Sequence, residues 1–134
     1  MLAGKNKYFE AVGRRKTAVA RVRLFTQGKK DITVNDKPYE EYFKVSSFSE
    51  QVVAPLNKIN CLGKFGLSIR VHGGGLSGQA EATRHGVSRC LVLLNSYFKK
   101  RLKKSGYLTR DSRMRERKKP GLKRARRAPQ WSKR

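Results

Sequence analysis

The chain closes on a segment that no globular core can absorb. Residues 99–134 hold 17 Lys and Arg against two acids, Asp111 and Glu116, so that segment supplies +15 of the whole chain's +24. From Leu108 onward the apolar residues Leu108, Met114, Leu122 and Trp131 follow neither a 3.6-residue nor a two-residue period. Such a segment cannot bury enough surface to offset the entropy of ordering it. The prediction is a tail, residues 106–134, that is disordered when free and orders on a polyanion. Its end, RRAPQWSKR, is the extreme case: four cations, a proline, one tryptophan and no acid.

What precedes the tail has the patterning of one small α+β domain, residues 1–105. KYFEAVG and TAVARVRLF read as strands. In the second, Ala18, Ala20, Val22 and Leu24 alternate onto one face and Arg21 and Arg23 onto the other. GRRKT, Gly13 to Thr17, reads as a basic turn between them. DITVN is a further strand with Ile32 and Val34 on one face. Asn35-Asp36-Lys37-Pro38 is turn chemistry, and YEEYF suits one helical turn. Ser47 and Glu50 have capping-box spacing for a helix through Val52 and Val53, which Pro55 is expected to kink or shorten. GKFGLSIRVH, mostly apolar, is expected as a central strand. From Gln79 a helix follows. Its buried stripe is Ala80, Thr83, Val87, Cys90, Leu91, Leu94, Phe98 and Leu102, with Glu81, Arg84, His85, Ser88 and Arg89 largely off it. Asn95-Ser96 is the expected break and Gly106 the terminator.

Composition removes several classes. No apolar run approaches the ~18 residues of a spanning helix, and MLAGKNKYFE has no signal-peptide pattern. Cys61 and Cys90 form no CxxC pair and read as reduced, buried thiols. His72 and His85 lack metal-ligand spacing, so no metal is expected. The loop VHGGGLSGQAEATRHG is the most enzyme-like stretch: Gly73, Gly75 and Gly78 fit GxGxxG between a strand and a helix. The acid expected about 20 residues on is missing. Read as GxxxxGK[ST], the loop carries Gln79 and Ala80 in place of Lys and Ser/Thr. No nucleotide, no other cofactor and no catalytic set is expected. What remains is glycine-permitted backbone approach at a helix N-terminus, suited to a phosphate, with Arg84 and His85 one or two turns in.

Basicity does not separate DNA from RNA, and no helix-turn-helix or zinc finger is legible. Three stretches go further: EAVGRRKTAVARVRL, GGGLSGQAEATRHGVSR and LTRDSRMRERKKPGLKRARRAPQWSKR. In this order and spacing, from about Tyr8 to Arg134, the chain resembles the bacterial-type S-nine family of small-subunit ribosomal proteins. Trp131 stands where that family has Phe, Pro120 where an aromatic follows the lysine pair, and Glu81 where a small residue is usual. None of these removes a cation.

The resemblance implies a domain of the ribosomal S5 domain-two-like kind, seated on ribosomal RNA in the small-subunit head beside neighbouring proteins, with no membrane role. It places the chain on ribosomes of bacterial cytoplasm, or of an organelle with its own gene. It implies a structural rather than catalytic protein whose tail threads to the P site. There Ser132, Lys133 and Arg134 meet the bound transfer RNA: the arginine as a bidentate phosphate clamp, the lysine as a point charge, the serine through its hydroxyl. Pro129 stiffens the approach, and Trp131 is placed to stack on a base or pack against neighbours. The expected ribosomal RNA contacts are Arg14, Arg15, Lys16, Arg21 and Arg23 on the first hairpin, and Gly73, Gly74, Gly75, Gln79, Arg84 and His85 at the loop. The tail adds Arg110, Arg113, Arg115, Arg117, Lys118, Lys119, Lys123, Arg124, Arg126 and Arg127. Two rival readings remain: a free RNA- or DNA-coating protein, which needs no special tip, and a nucleotide-dependent enzyme, which needs the lysine that Gln79 replaces.

Overall fold

The computed structural model describes residues 8–132. Alternation in the first two apolar runs makes a hairpin of β1 (Tyr8–Arg15) and β2 (Ala18–Phe25), with Arg15 opposite Ala18. Only Lys16 and Thr17 turn the chain, Lys16 at φ 55°. The basic turn expected over Gly13–Thr17 is therefore shorter, because two residues suffice to reverse a twisted hairpin. Gly13, Arg14 and Arg15 are strand, which sends Arg14 outward and Arg15 inward.

The sheet continues through β3 (Ile32–Val34), β4 (Lys37–Pro38) and β5 (Gly66–His72), in the order β1-β2-β5-β3-β4. β5 is central, as its apolar run predicted, antiparallel to β2 and parallel to β3. Asn35 and Asp36, both at positive φ, make the turn into β4, so Lys37 and Pro38 belong to the edge strand. Pro38 is tolerated there because an edge needs no inner donor.

Helices α1 (Tyr39–Tyr42), α2 (Ser46–Lys58), α3 (Leu76–Leu94) and α4 (Phe98–Lys104) complete the fold. The capping box does not form. Val45 is the N-cap, its carbonyl accepting from the Phe48 and Ser49 amides at 3.0 and 3.2 Å, while the Ser49 hydroxyl bonds the Ser46 carbonyl. Starting two residues early takes Ser47 into the helix and out of capping range. Pro55 does not shorten α2, which runs on to Lys58. Its end is an αL cap on Asn60 (φ 57°), with the Cys61 amide on the Leu56 carbonyl at 2.9 Å.

α3 lies directly on β1 and β2, with α2 against its other side. It begins at Leu76, three residues before the expected Gln79, with Gly75 as N-cap. Contact on two sides makes its buried arc wider than the predicted stripe: Gly78, Ala82, Gly86 and Ser88 join Ala80, Thr83, Val87, Cys90 and Leu91. Ser88, expected off the stripe, is buried and satisfied by the Arg84 carbonyl at 2.8 Å. The close seat depends on two glycines. A side chain at Gly13 would collide with the Ala82 and Gly86 backbone, and one at Gly86 would meet Val22 Cγ2 at 2.7 Å. Ala18, Ala20, Val22 and Leu24 are fully buried, as alternation predicted. α3 stops at Asn95, and α4 ends on Gly106 (φ 78°) with the Tyr107 amide on the Leu102 carbonyl at 3.1 Å, both where the sequence placed them.

Candidate nucleic-acid interface

One face of the sheet carries the core. Along β1, β2 and β5 the other face presents, in register, Arg14, Val19 and His72; Val12, Arg21 and Arg70; Glu10, Arg23 and Ser68; and Tyr8 with Phe25. Alternation forces this: once Ala20, Val22, Ile69 and Val71 are buried, their neighbours point away. The face is thus rich in arginine. Arg21 and Arg70 are more than half exposed. Glu10 sits between two of the arginines, accepting from Arg21 Nε at 2.6 Å and Arg23 Nε at 3.3 Å. The Arg21 bond and both arginine charges hold its carboxyl below the ordinary value. Asp36 pairs with Arg70 at 3.1 Å. Four arginines against two carboxylates leave the face cationic. Such surface pairs are weak, worth ~0–1 kcal/mol each, so a polyanion can take the arginines over.

Arg70 and His72 were not among the expected contacts. Their signal was present: in LSIRVH each follows a buried residue by one, the spacing that marked Arg21 and Arg23.

The glycine loop lies against the hairpin turn. Gly73 and Gly74, at φ 79° and 60°, rest on Thr17 and Ala18, so the loop and Lys16 share one end of the sheet. Gln79 is not exposed for a ligand. Only 8% exposed, it donates from Nε2 to the Gly73 carbonyl at 3.1 Å and accepts from the Tyr42 hydroxyl at 2.7 Å. It holds the loop from behind. Gly75 caps α3 without a side chain, which leaves the first amides of that helix without intrahelical partners.

Arg15, Arg84 and His85 meet the start of the tail. Arg15, with its side chain 12% exposed, pairs with Glu81, reaches Asp111 at 3.5 Å and donates to the Arg113 carbonyl at 2.7 Å. The Arg84 guanidinium lies 5.2 Å over the Tyr107 ring. His85 Nδ1 accepts the Arg14 amide at 3.3 Å. Burial chiefly, then Arg89, Arg110 and Arg84, lower its pKa, against a bond with the Leu108 backbone that raises it. This imidazole is a neutral acceptor, not a cation offered to phosphate. With Tyr107 and Leu108 packed on the core, the domain's contacts run past residue 106. Together these groups wall a pocket of about 350 Å³.

Thr109–Ser132 form no helix or strand. Of their two acids, Asp111 serves Arg113 at 2.7 Å as well as Arg15, and Glu116 serves Lys119 at 3.1 Å and Arg126 at 2.9 Å. The Arg113 bonds hold the Asp111 carboxyl well below the usual carboxylate range. Among the described residues Arg110, Arg115, Arg117, Lys118, Lys123, Arg124 and Arg127 have no carboxylate partner. Trp131 is 81% exposed and Ser132 is exposed too; Lys133 and Arg134 lie outside the described residues.

Cys61 and Cys90 are buried free thiols, and burial pushes the Cys90 thiol up to about 12, where it is unreactive. Among the described residues no helix is long and apolar enough to cross a membrane, and no three His, Cys, Asp or Glu gather as a metal site.

The family model described as ribosomal protein S9/S16 matches residues 13–134. The match takes in the close-packed Gly13 with Arg14 and Arg15 at the end of β1, all of β2 and β5, the glycine loop, α3 and everything after it. Members of such a family are structural constituents of the ribosome that bind ribosomal RNA among other ribosomal proteins. This chain belongs to the ribosomal protein S9/S16 family.

Proposed function

We propose that the chain is the S-nine type of small-subunit protein, seated in the subunit head, with its tail running through RNA to the P-site transfer RNA. The observation that carries this reading is the match that continues through residue 134, across a segment whose residues 109–132 form no helix or strand and hold, among the described residues, seven cations without a carboxylate partner. A tail kept only for solubility would need neither its length nor a specific end. The hairpin and the outer sheet face supply Arg14, Lys16, Arg21 and Arg23, now joined by Arg70 and His72, as ribosomal RNA contacts. Gly73, Gly74 and Gly75 let an RNA backbone approach, and Gln79 positions them. Arg15, Arg84 and His85 act from one step behind, by fixing where the tail leaves the domain.

Along the tail, Arg110, Arg113, Arg115, Arg117, Lys118, Lys119, Lys123, Arg124, Arg126 and Arg127 neutralise phosphates on the way in. Ser132, Lys133 and Arg134 form the tip. Each charge-assisted phosphate bond is worth roughly 1.5–3 kcal/mol gross, less what water and ions take back. Removing residues 132–134 deletes two of the 17 cations in residues 99–134, so assembly should survive while P-site transfer RNA affinity falls about several-fold to a hundredfold. Filter binding of transfer RNA to subunits carrying the truncated protein, beside a gradient profile of assembly, reads both. Unchanged binding takes the tip away from the P site; collapsed assembly makes those residues an anchor instead.

A further inference from the structure

The outer sheet face ends in two aromatic rings that the core does not use. Tyr8 and Phe25 are directly opposed across β1 and β2, their centroids 5.6 Å apart and their planes tilted by 56°. Tyr8 is 44% exposed, and the Arg23 guanidinium lies 4.8 Å over its ring. On the inner face these same strands bury Ala11, Ala18, Ala20, Val22 and Leu24, with Phe9 packed against that core. Tyr8 and Phe25 stand instead on the wet side, where burial rewards apolar groups least. Along the same face run Arg21 and Arg70, directly opposed and both well exposed.

We infer that Tyr8, Phe25 and Arg23 form a stacking platform for unpaired RNA bases, whose phosphates are held by Arg21 and Arg70. The inference rests on the RNA-binding reading of this face and narrows it to single-stranded or looped RNA. Charge selects the occupant: rings rimmed by guanidinium groups suit a polyanion that also carries flat π faces. Helical geometry selects its state. A base inside a duplex has both faces covered by its neighbours, whereas an unpaired base has a face to give. About four residues of strand, roughly 13 Å, separate Phe25 from Arg21, so base and phosphate contacts belong to neighbouring nucleotides rather than to one.

The test compares two labelled probes on the full-length chain by fluorescence anisotropy across a salt series: a single-stranded 12-mer RNA and a blunt duplex of equal length. Tyr8→Leu with Phe25→Leu should weaken single-strand binding about five- to a hundredfold, leave duplex binding unchanged, and leave the salt slope unchanged, since no phosphate contact is lost. Tyr8→Trp alone, which keeps a ring, should bind the single strand at least as tightly as the parent. Should the leucine pair fail to fold by circular dichroism, this tryptophan variant and ultraviolet crosslinking of the probe to Tyr8 in the parent chain carry the test. Equal losses on both probes, no loss on either, or no crosslink at Tyr8 overturns the platform while RNA binding stands. If the parent chain binds neither probe with a salt-dependent slope, the RNA-binding reading itself falls first.

Discussion

The two faces of one sheet obey opposite rules. On the inner face Ala20, Val22, Ile69 and Val71 are buried and α3 sits close enough that Gly13 and Gly86 tolerate no side chain. One residue along each strand, Arg21, Arg23, Arg70 and His72 face outward. The inner face has dispersion and apolar burial to lose and, apart from the Arg15–Glu81 pair at its edge, no charge; the outer face has charge to lose and little burial. Damage to either should therefore leave different signatures. An inner lesion lowers stability without altering the salt dependence of RNA binding per folded molecule. An outer lesion does the reverse.

The largest effect belongs to Gly13. In Gly13→Val the new side chain would meet the Ala82 and Gly86 backbone, which has nowhere to move without lifting α3 from the hairpin. Overpacking against backbone should cost about 3 kcal/mol, a large part of a small domain's total. Urea unfolding followed by circular dichroism reads it. A variant as stable as the parent would mean the helix is not seated as tightly as the inner face requires.

Next come the outward arginines. Arg21→Gln and Arg70→Gln together remove two phosphate contacts, each worth about 0.7 log unit of salt slope on single strands. RNA affinity should fall about twenty- to thirtyfold near 0.1 M salt, and the slope should flatten by about 1.4, with urea stability within ~1 kcal/mol of the parent. Loss of the fold with unchanged affinity per folded molecule would reverse the assignment of the faces.

These two tests also mark what was legible in the sequence. Alternation assigned the faces of β2 outright, and the same rule applied to LSIRVH would have added Arg70 and His72. The α3 stripe was found but too narrow, because a period identifies one buried side and α3 is covered on two. Gly13 was read as turn rather than as a seat for Gly86; close packing between residues so far apart in sequence leaves no local mark. The capping box misled because Ser47-Phe-Ser-Glu50 has the right spacing, and nothing local says that Val45 starts the helix instead. Gln79 was singled out as a ligand contact from its place in a failed phosphate motif. Its actual partners, Gly73 and Tyr42, are a tertiary fact. The absence of helix and strand over residues 109–132 agrees with their lack of any apolar period, and their cations are plain in the sequence. The first turn of the tail was not legible, since it is fastened by Arg15, which the sequence presents as one more cation in GRRK.

A smaller effect concerns that fastening. Burial chiefly, with the nearby arginines, holds the folded pKa of His85 below the unfolded value near 6.5. Its contribution is therefore present above that unfolded value and is lost as pH falls through the folded one. Between pH 7.5 and 5.5, above the carboxylate range, the parent should lose stability and His85→Gln should lose less. Thermal melts at the two pH values check this, and limited proteolysis near residues 107–113 should report earlier cleavage at the lower pH. Equal pH sensitivity in parent and variant would put the histidine outside this joint.

The smallest effect comes from Glu10, and it asks whether the outer face carries a brake. Its carboxylate engages Arg21 and Arg23 on an open surface, so the pairs add little to stability, a few tenths of a kcal/mol. Because its folded pKa is lowered, that contribution is present above the unfolded value and fades as pH falls through the folded one. In RNA binding the same carboxylate competes with phosphate for two guanidinium groups. Glu10→Gln keeps the side chain's shape, releases the competition and adds one unit of net positive charge. The expected result is RNA binding tighter by about two- to threefold at 0.1 M salt, with a salt slope unchanged or slightly steeper. Weaker binding would carry a different meaning. It would show that Glu10 serves to aim Arg21 and Arg23 rather than to restrain them, and that the face is set in advance for its phosphates.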